Sequence, residues 1–256
     1  MHNIRQSIEQ FHLLFLDQLG RKIDKRLYAL KGGCNLRFYF QSMRYSEDLD
    51  LDIKTIYLDT LLKNVQKILE SAPFATLLQL RDITIKNISI SKQTSTTQRW
   101  KLSLNIANSP AHTKIEFSRR ALEGTVLFEA VDAAIIQNYH LPPILSSHYN
   151  RASAIKQKIG ALASRTVTQA RDIFDLYLLL SGNSFLPVAP TAKKIGSINI
   201  AQALNNISTI TYAEFRSQVI AFLAPEYQTQ YASKDAWQNM VNRVSIALSE
   251  GHHAIK

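Results

Sequence analysis

A single cysteine in 256 residues, Cys34, excludes an internal disulfide and a cysteine-rich zinc site, and it fits a reducing compartment. No stretch approaches the eighteen or so uninterrupted apolar residues of a membrane-spanning helix, although 46% of the chain is hydrophobic. The longest apolar runs, Leu13-Leu14-Phe15-Leu16 and Leu176-Tyr177-Leu178-Leu179-Leu180, are of core size. The N-terminal segment mixes His2, Arg5, Glu9 and Asp17 with apolar residues and has no secretory cleavage pattern, so a cytoplasmic protein without membrane contact is expected. Internal repeats, low-complexity tracts and coiled-coil heptads are also absent. The seven histidines, among them His112, His140, His148 and the pair His252-His253, show no metal-ligand spacing such as H-E-x-x-H and read as structural or surface groups. The 10 Tyr and 11 Phe fall mostly at apolar-periodic positions, where they serve a core more often than they stack on bases.

Acidic residues are the scarcer charge, 20 against 30 Lys plus Arg, for a formal net charge of +10. Such an excess points to a polyanionic partner, nucleic acid first, or to an ordinary solvated surface. The few acids are concentrated between Glu47 and Asp52 while the bases are spread along the chain, which suggests a metal site inside a phosphate-attracting field.

Apolar residues recur at helical spacing over 4–19, ending at Gly20, and over 56–70, so both segments are expected to be amphipathic helices. Leu36 to Phe40, Leu49 to Ile53, Thr113 to Phe117 and, more weakly, Thr125 to Phe128 are β-prone. Trp100, Leu102, Leu104 and Ile106 alternate with polar or small neighbours as in a half-buried strand, and Ile83, Ile85, Ile88 and Ile90 change phase across Lys86-Asn87, which predicts a turn or bulge. Beyond Leu141-Pro142-Pro143 the pattern turns helical, over about 150–163, 170–181, 198–207, 211–223 and 234–249, with Pro187 and Pro190 in the longest loop. The expected fold is α+β: a mixed sheet with flanking helices over 1–145, then a mostly helical half over 146–256.

Asp48, Asp50 and Asp52 occupy alternate positions between Leu49, Leu51 and Ile53, so in a strand the three carboxylates leave one face. Carboxylates two residues apart lie roughly 7 Å from each other and repel by about 2–3 kcal/mol at an effective dielectric of 20. A hard divalent cation relieves that repulsion and bridges carboxylates to substrate phosphates; a solvated edge strand is the structural alternative. Just upstream, Leu30-Lys31-Gly32-Gly33-Cys34-Asn35-Leu36-Arg37 places two glycines where backbone N–H groups before a strand or helix can hold a phosphate.

Leu30-Lys31-Gly32-Gly33, Leu36-Arg37 and Arg44-Tyr45-Ser46-Glu47-Asp48-Leu49-Asp50 together resemble the "LKGG, LR, RxSxDxD" signature of the AbiEii/AbiGii (MenT-like) toxin nucleotidyltransferases, within the DNA polymerase β-like superfamily. Lys158-Ile159-Gly160-Ala161-Leu162, Arg165 and Arg171-Asp172-Ile173-Phe174-Asp175-Leu176 resemble the second conserved region of that family, "K, AL, R, RDxxDL". The resemblance spans about residues 28–181 and carries no motif into the C-terminal helices.

The resemblance implies a nucleotidyltransferase-like sheet and a toxin that transfers a nucleotide from an NTP to RNA, most of all to the 3′ end of a tRNA. Mg²⁺ or Mn²⁺ is the implied cofactor, and a cognate antitoxin the implied partner. It assigns Asp48 and Asp50 to the metal, with Glu116 on a later strand as third ligand or, equally, as an exposed strand residue. Gly32, Gly33, Ser46, Arg44 and Lys158 are the implied nucleotide contacts, and Asp172 supports the catalytic group. Arg171 and Asp175 form an i,i+4 pair suited to holding a helix together, Arg37 and Arg44 each suit either phosphate binding or packing against the acidic strand, and Asp52 is a solvated neighbour of the metal pair. Cys34 stands where the superfamily has Ser or Thr, and a thiol is a poor donor to phosphate. Nucleotidylation of a protein or small molecule, and a silent nucleic-acid or partner-binding module, are the alternatives to an RNA-directed enzyme.

Overall fold

The computed structural model describes residues 3–120, 122–181 and 197–253. The expected proline loop at Pro187 and Pro190 and the side chains of His252-His253 lie outside the described residues. The chain divides into two compact units, one of residues 1–41 and 45–149, the other of 42–44 and 150–256.

In the first unit, helix α1 (Ile4–Lys22) starts from a capping box in which Asn3 and Gln6 satisfy each other's backbone N–H groups. It buries Phe11, Leu13, Phe15, Leu16 and Leu19. The chain then runs through strand β1 (Tyr28–Lys31), helix α2 (Gly32–Tyr39), strand β2 (Asp48–Ile53), helices α3 (Leu58–Leu69) and α4 (Ala72–Gln79), strands β3 (Ile83–Gln93), β4 (Thr97–Ile106), β5 (Ser109–Ser118) and β6 (Val126–Ala130), helix α5 (Ala133–Asn138) and strand β7 (Leu145–Tyr149). The strands form one seven-stranded sheet in the order β3-β4-β5-β2-β1-β7-β6. It is mixed: β2 pairs with β5, and β1 with β7, in parallel, and the other neighbours are antiparallel. One face of the sheet contributes Leu49, Leu51, Trp100, Leu102, Leu104, Ile115 and Phe117 to the same apolar cluster as the buried residues of α1, α3 and α4. Burying each of these large side chains contributes roughly 1.5–3 kcal/mol.

The phase change at Lys86-Asn87 is a register shift between Ile85 and Asn87 in the β3–β4 ladder. The expected strand at Leu36–Phe40 is instead the second half of α2. Gly32 has φ +65°, a left-handed conformation that ends β1 and turns the chain straight into a helix, and this backbone turn overrides the β preference of the residues that follow. The first unit runs to Tyr149 rather than stopping near 145, because β7 pairs with both β1 and β6.

The second unit is helical: α6 (Arg151–Ser164), α7 (Ala170–Leu180), α8 (Ser197–Ile207), α9 (Tyr212–Gln218), α10 (Pro225–Tyr231) and α11 (Lys234–His253). Asn150 caps α6 by accepting from the Ser153 N–H, and Thr211 and Glu214 form a capping box on α9. Its core holds Ile159, Phe174, Phe215, Trp237 and Leu248, with Phe215 stacked on Trp237 at 4.6 Å between centroids. The excursion Ser42–Arg44 belongs to this unit through a bridge of Arg44 to Leu223 and a hydrogen bond from Ala224 N–H to the Met43 carbonyl at 3.0 Å. No helix among the described residues is long and apolar enough to cross a membrane.

Candidate active site

In β2 the alternation sends Leu49, Leu51 and Ile53 into the core and Asp48, Asp50 and Asp52 to the opposite face. Parallel pairing with β5 sets Asp48 opposite Lys114 and Asp50 opposite Glu116, while antiparallel pairing with β1 sets Lys31 opposite Asp50. Asp48, Asp50 and Glu116 thus share a face of two adjacent strands, and each keeps between a fifth and a third of its side chain exposed. The Lys114 ammonium sits among them, 3.2 Å from Asp48 Oδ2, 3.7 Å from Glu116 Oε2 and 4.0 Å from Asp50 Oδ1. Burial pushes the Asp50 carboxyl above the ordinary range against the pull of Lys114, and Asp48 and Glu116 push it further. Burial works against the Lys114 charge too, yet Asp50, Asp48 and Glu116 outweigh it and raise its pKa. Glu116 is desolvated as well, but the Arg99 guanidinium, 2.5 Å from Oε2, brings its pKa below the usual value.

Asp52 has a different role from its two neighbours. It is buried rather than solvated: Lys31 forms an ion pair with one carboxylate oxygen, and the Tyr149 hydroxyl donates to the other at 2.7 Å. It ties β2 to β1 and β7, and the repulsion expected along the strand is relieved at this end by protein groups.

The glycine turn lies directly against the acidic strand. A Cβ on Gly32 would stand 3.0 Å from Asp50 Oδ2, so only glycine combines this backbone angle with so close an approach. The helix that follows has no side-chain cap at Lys31 and no acidic residue in its first turn, which leaves early backbone N–H groups for an outside acceptor. Cys34 is turned inward, its sulfur 3.3 Å from the Asp48 carbonyl oxygen and 3.6 Å from His12 Nδ1. Burial raises its pKa well above normal, so the thiol is neutral and serves as a packing group between α2 and β2. Ser46 donates to the same Asp48 carbonyl at 2.8 Å. Thr113 donates to the Glu47 carbonyl at 2.7 Å and accepts from His12 Nε2 at 2.7 Å, so α1 and β5 both brace the start of β2. Arg37 is committed to packing: it bonds Glu9 of α1 at 2.7 and 3.2 Å and lies over the Tyr45 ring. His148 is likewise structural, buried and stacked on Tyr39 at 3.6 Å.

The second unit gathers the other motif around α6 and α7. Lys158 donates to Asp172 Oδ1 at 3.0 Å and reaches Asp175 Oδ2 at 2.5 Å, with both carboxylates fully buried. Arg165 Nη1 lies 3.4 Å from Asp172 Oδ2, too far for a good bond, and that oxygen has no hydrogen-bond partner among the described residues. The buried Arg44 guanidinium takes Asp175 in a fork, Nε to Oδ1 at 3.4 Å and Nη2 to Oδ2 at 3.1 Å. Burial alone would raise the Asp175 pKa, but Arg44 and Lys158 bring it below the ordinary carboxylate value. Arg44, expected from the motif to touch nucleotide, is 4% exposed and aimed at Asp175, which makes it a group that positions the cluster.

Sequence reasoning passed over Lys114 and Arg99. Lys114 alternates with Glu116 on β5, and that alternation was the available signal, but its nearness to Asp48 comes from a pairing 66 positions apart. No three His, Cys, Asp or Glu side chains among the described residues close a metal cage. Mg²⁺ is ordinarily held by one or two carboxylates and completes its shell with water and substrate phosphates, and Asp48 and Asp50 are the residues that would hold one here. The Lys114 ammonium already shows that the Asp48 and Asp50 oxygens, with Glu116 beside them, accept a cation.

Comparison with solved structures finds JHP933 from Helicobacter pylori, with a TM-score of 0.63 and 18% identity over 100% of this chain and 94% of the other. It also finds MenT4, a nucleotidyltransferase toxin from Mycobacterium tuberculosis H37Rv, with a TM-score of 0.65 and 17% identity over 98% of this chain and 86% of the other. At these identities the likeness establishes the fold. Comparison with curated protein sequences gives no significant match. Residues 14–249 match the sequence profile described as "Nucleotidyl transferase AbiEii toxin, Type IV TA system", and the chain belongs to that family of toxin nucleotidyltransferases.

Proposed function

We propose that this protein transfers a nucleoside monophosphate from an NTP to the 3′ end of an RNA, a tRNA first, and that Asp48 and Asp50 hold the divalent cation the transfer requires. The carrying observation is the pair of partly exposed carboxylates on β2, of which Asp50 lies so close to the Gly32 turn that a Cβ there would stand 3.0 Å from its Oδ2. When bound, Mg²⁺ or Mn²⁺ neutralises phosphate charge and lowers the cost of bringing two anions together. The bond formed joins the acceptor hydroxyl oxygen to the α-phosphorus, the α–β bridge breaks, pyrophosphate leaves, and the hydroxyl proton passes to solvent.

The chain's own groups contribute position and charge. Gly32 and Gly33 open α2 with uncapped N–H groups suited to phosphate oxygens. Ser46 holds the Asp48 backbone in place, and Glu116 supplements the metal pair from β5. In the helical unit, the family motif assigns Lys158 to phosphate; its side chain, 11% exposed, is held by ion pairs to Asp172 and Asp175. The charge of +10 favours a nucleic-acid acceptor over a small molecule or an acidic protein. The type IV toxin–antitoxin family implies a cognate antitoxin.

The test is incubation of purified protein with total tRNA, Mg²⁺ and each labelled NTP in turn, beside Asp48→Ala, read on a denaturing gel. Label entering tRNA with wild type alone supports the assignment and names the nucleotide. No label from folded protein with any of the four overturns the RNA acceptor.

A further inference from the structure

Lys114 is out of place on a face built for a metal. Two carboxylates two residues apart on one strand and a third on the neighbouring strand repel, and a cation among them relieves that repulsion. The protein supplies one. The Lys114 ammonium lies within 4.0 Å of all three carboxylates, and its side chain is as accessible as theirs, 26% against 30%, 30% and 21% for Asp48, Asp50 and Glu116. It is also the group that faces Asp48 in the β2–β5 register, so the backbone keeps its stem beside the acidic face. Glu116 has a second cation, Arg99, and Asp52 has its own in Lys31, whereas Lys114 is the one cation that reaches Asp48 among the ion pairs of the described residues.

We propose that Lys114 is the resident counter-ion of the acidic face, holding Asp48 and Asp50 in place before metal arrives and competing with a divalent cation for the same oxygens. This rests on the assignment of Asp48 and Asp50 as the metal pair. An ammonium is a compact point charge on a flexible four-carbon stem, so it can leave the carboxylates without moving the backbone and can turn to phosphate oxygens instead. A cation that stays within reach lowers affinity for a second cation, and a triphosphate, which offers oxygens to both, offsets that loss. Metal binding by the free protein is therefore weak by construction, and occupancy follows the nucleotide.

The experiment measures Mn²⁺ binding to the full chain, without nucleotide, by the loss of the free Mn²⁺ signal in electron paramagnetic resonance. The proteins compared are wild type, Lys114→Met, Lys114→Arg, Asp48→Asn and the Lys114→Met/Asp48→Asn double variant, with Lys114→Gln replacing the Met variant if that one fails to fold. Removing the competing charge is expected to tighten Mn²⁺ binding about tenfold, while Arg, which keeps the charge, leaves affinity at or below the wild-type value. The double variant loses the gain. The same Lys114→Met protein is expected to melt lower than wild type without metal and to recover more on adding Mn²⁺. Equal affinity of wild type and Lys114→Met, with Asp48→Asn still abolishing binding, overturns the role of Lys114 and leaves the metal pair standing. Binding that ignores Asp48→Asn in every background overturns the metal pair itself.

Discussion

The acidic face of the sheet and the ion cluster of the helical unit are built from the same residue types to opposite effect. On the sheet, Asp48, Asp50, Asp52 and Glu116 meet Lys31, Lys114 and Arg99, a formal excess of one negative charge, and the outer groups keep a fifth to a third of their surface in water. In the helical unit, Asp172 and Asp175 meet Lys158, Arg44 and Arg165, an excess of one positive charge, and both carboxylates are fully buried. The first arrangement can exchange its cation because water helps to carry the charges when a partner leaves. In the second, burial makes every partner obligatory, since an uncompensated charge in the interior is costly.

The comparison breaks most sharply at Asp48. Asp48→Ala is expected to lower nucleotide transfer by a factor on the order of 10²–10³, while thermal stability stays near that of wild type because a repelling charge has gone. Transfer assays beside thermal melts check both halves, and a large stability loss would mean that the sheet face is as obligatory as the buried cluster.

Asp175→Asn should do the reverse, destabilising the protein by about 3–5 kcal/mol by leaving Arg44 and Lys158 buried against a neutral amide. The wild-type contribution also has a sign in pH. The folded Asp175 pKa lies below its unfolded value, so the stabilisation is complete above the ordinary carboxylate pKa and is lost as pH falls through the folded value. Urea unfolding across the acid range, wild type against variant, measures it.

His12 provides a control on the sheet unit. Burial depresses its pKa to about 3 from 6.5, so the folded protein keeps the ring neutral while the unfolded chain takes up a proton. Stability is full above pH 6.5 and declines as pH drops from there toward 3, with a slope approaching one proton. His12→Gln should remove that slope in the same titration, whereas persistence of the slope would place the acid sensitivity elsewhere.

The smallest expected effect is at the glycine turn. Gly32→Ala should cost about 1–2 kcal/mol for an L-residue at positive φ, together with crowding of Asp50 at 3.0 Å. Chemical denaturation gives the first quantity, and weaker Mn²⁺ binding than in wild type registers the second.

The readability of the chain divides along physical lines. The alternation of Asp48, Asp50 and Asp52 was legible because a strand has a period of two, and most second-half helices were legible because their apolar stripes repeat at the helical period, although the one expected over 211–223 ends at Gln218 and α10 was not expected. Leu36 to Phe40 misled, because β propensity is a weak local preference and the turn at Gly32 comes first. Strands β1 and β7 escaped notice as short, central, largely buried segments without alternation. Asp52 looked like its neighbours and differs from them because Lys31 on β1 and Tyr149, 97 positions away, close around it. Asp175 looked like a helix-stabilising partner until Arg44, 131 positions away, filled its place.

What the sequence determined by itself was the inventory and its local periodicity: which residues carry charge, which side of a strand or helix they leave from, and which order of motifs the family shares. What the tertiary structure alone decided was which opposite charges meet. That choice is set by strand register and helix placement, over 66 positions for Lys114 with Asp48 and 131 for Arg44 with Asp175, and the strength of each meeting depends on how much water the fold leaves around it.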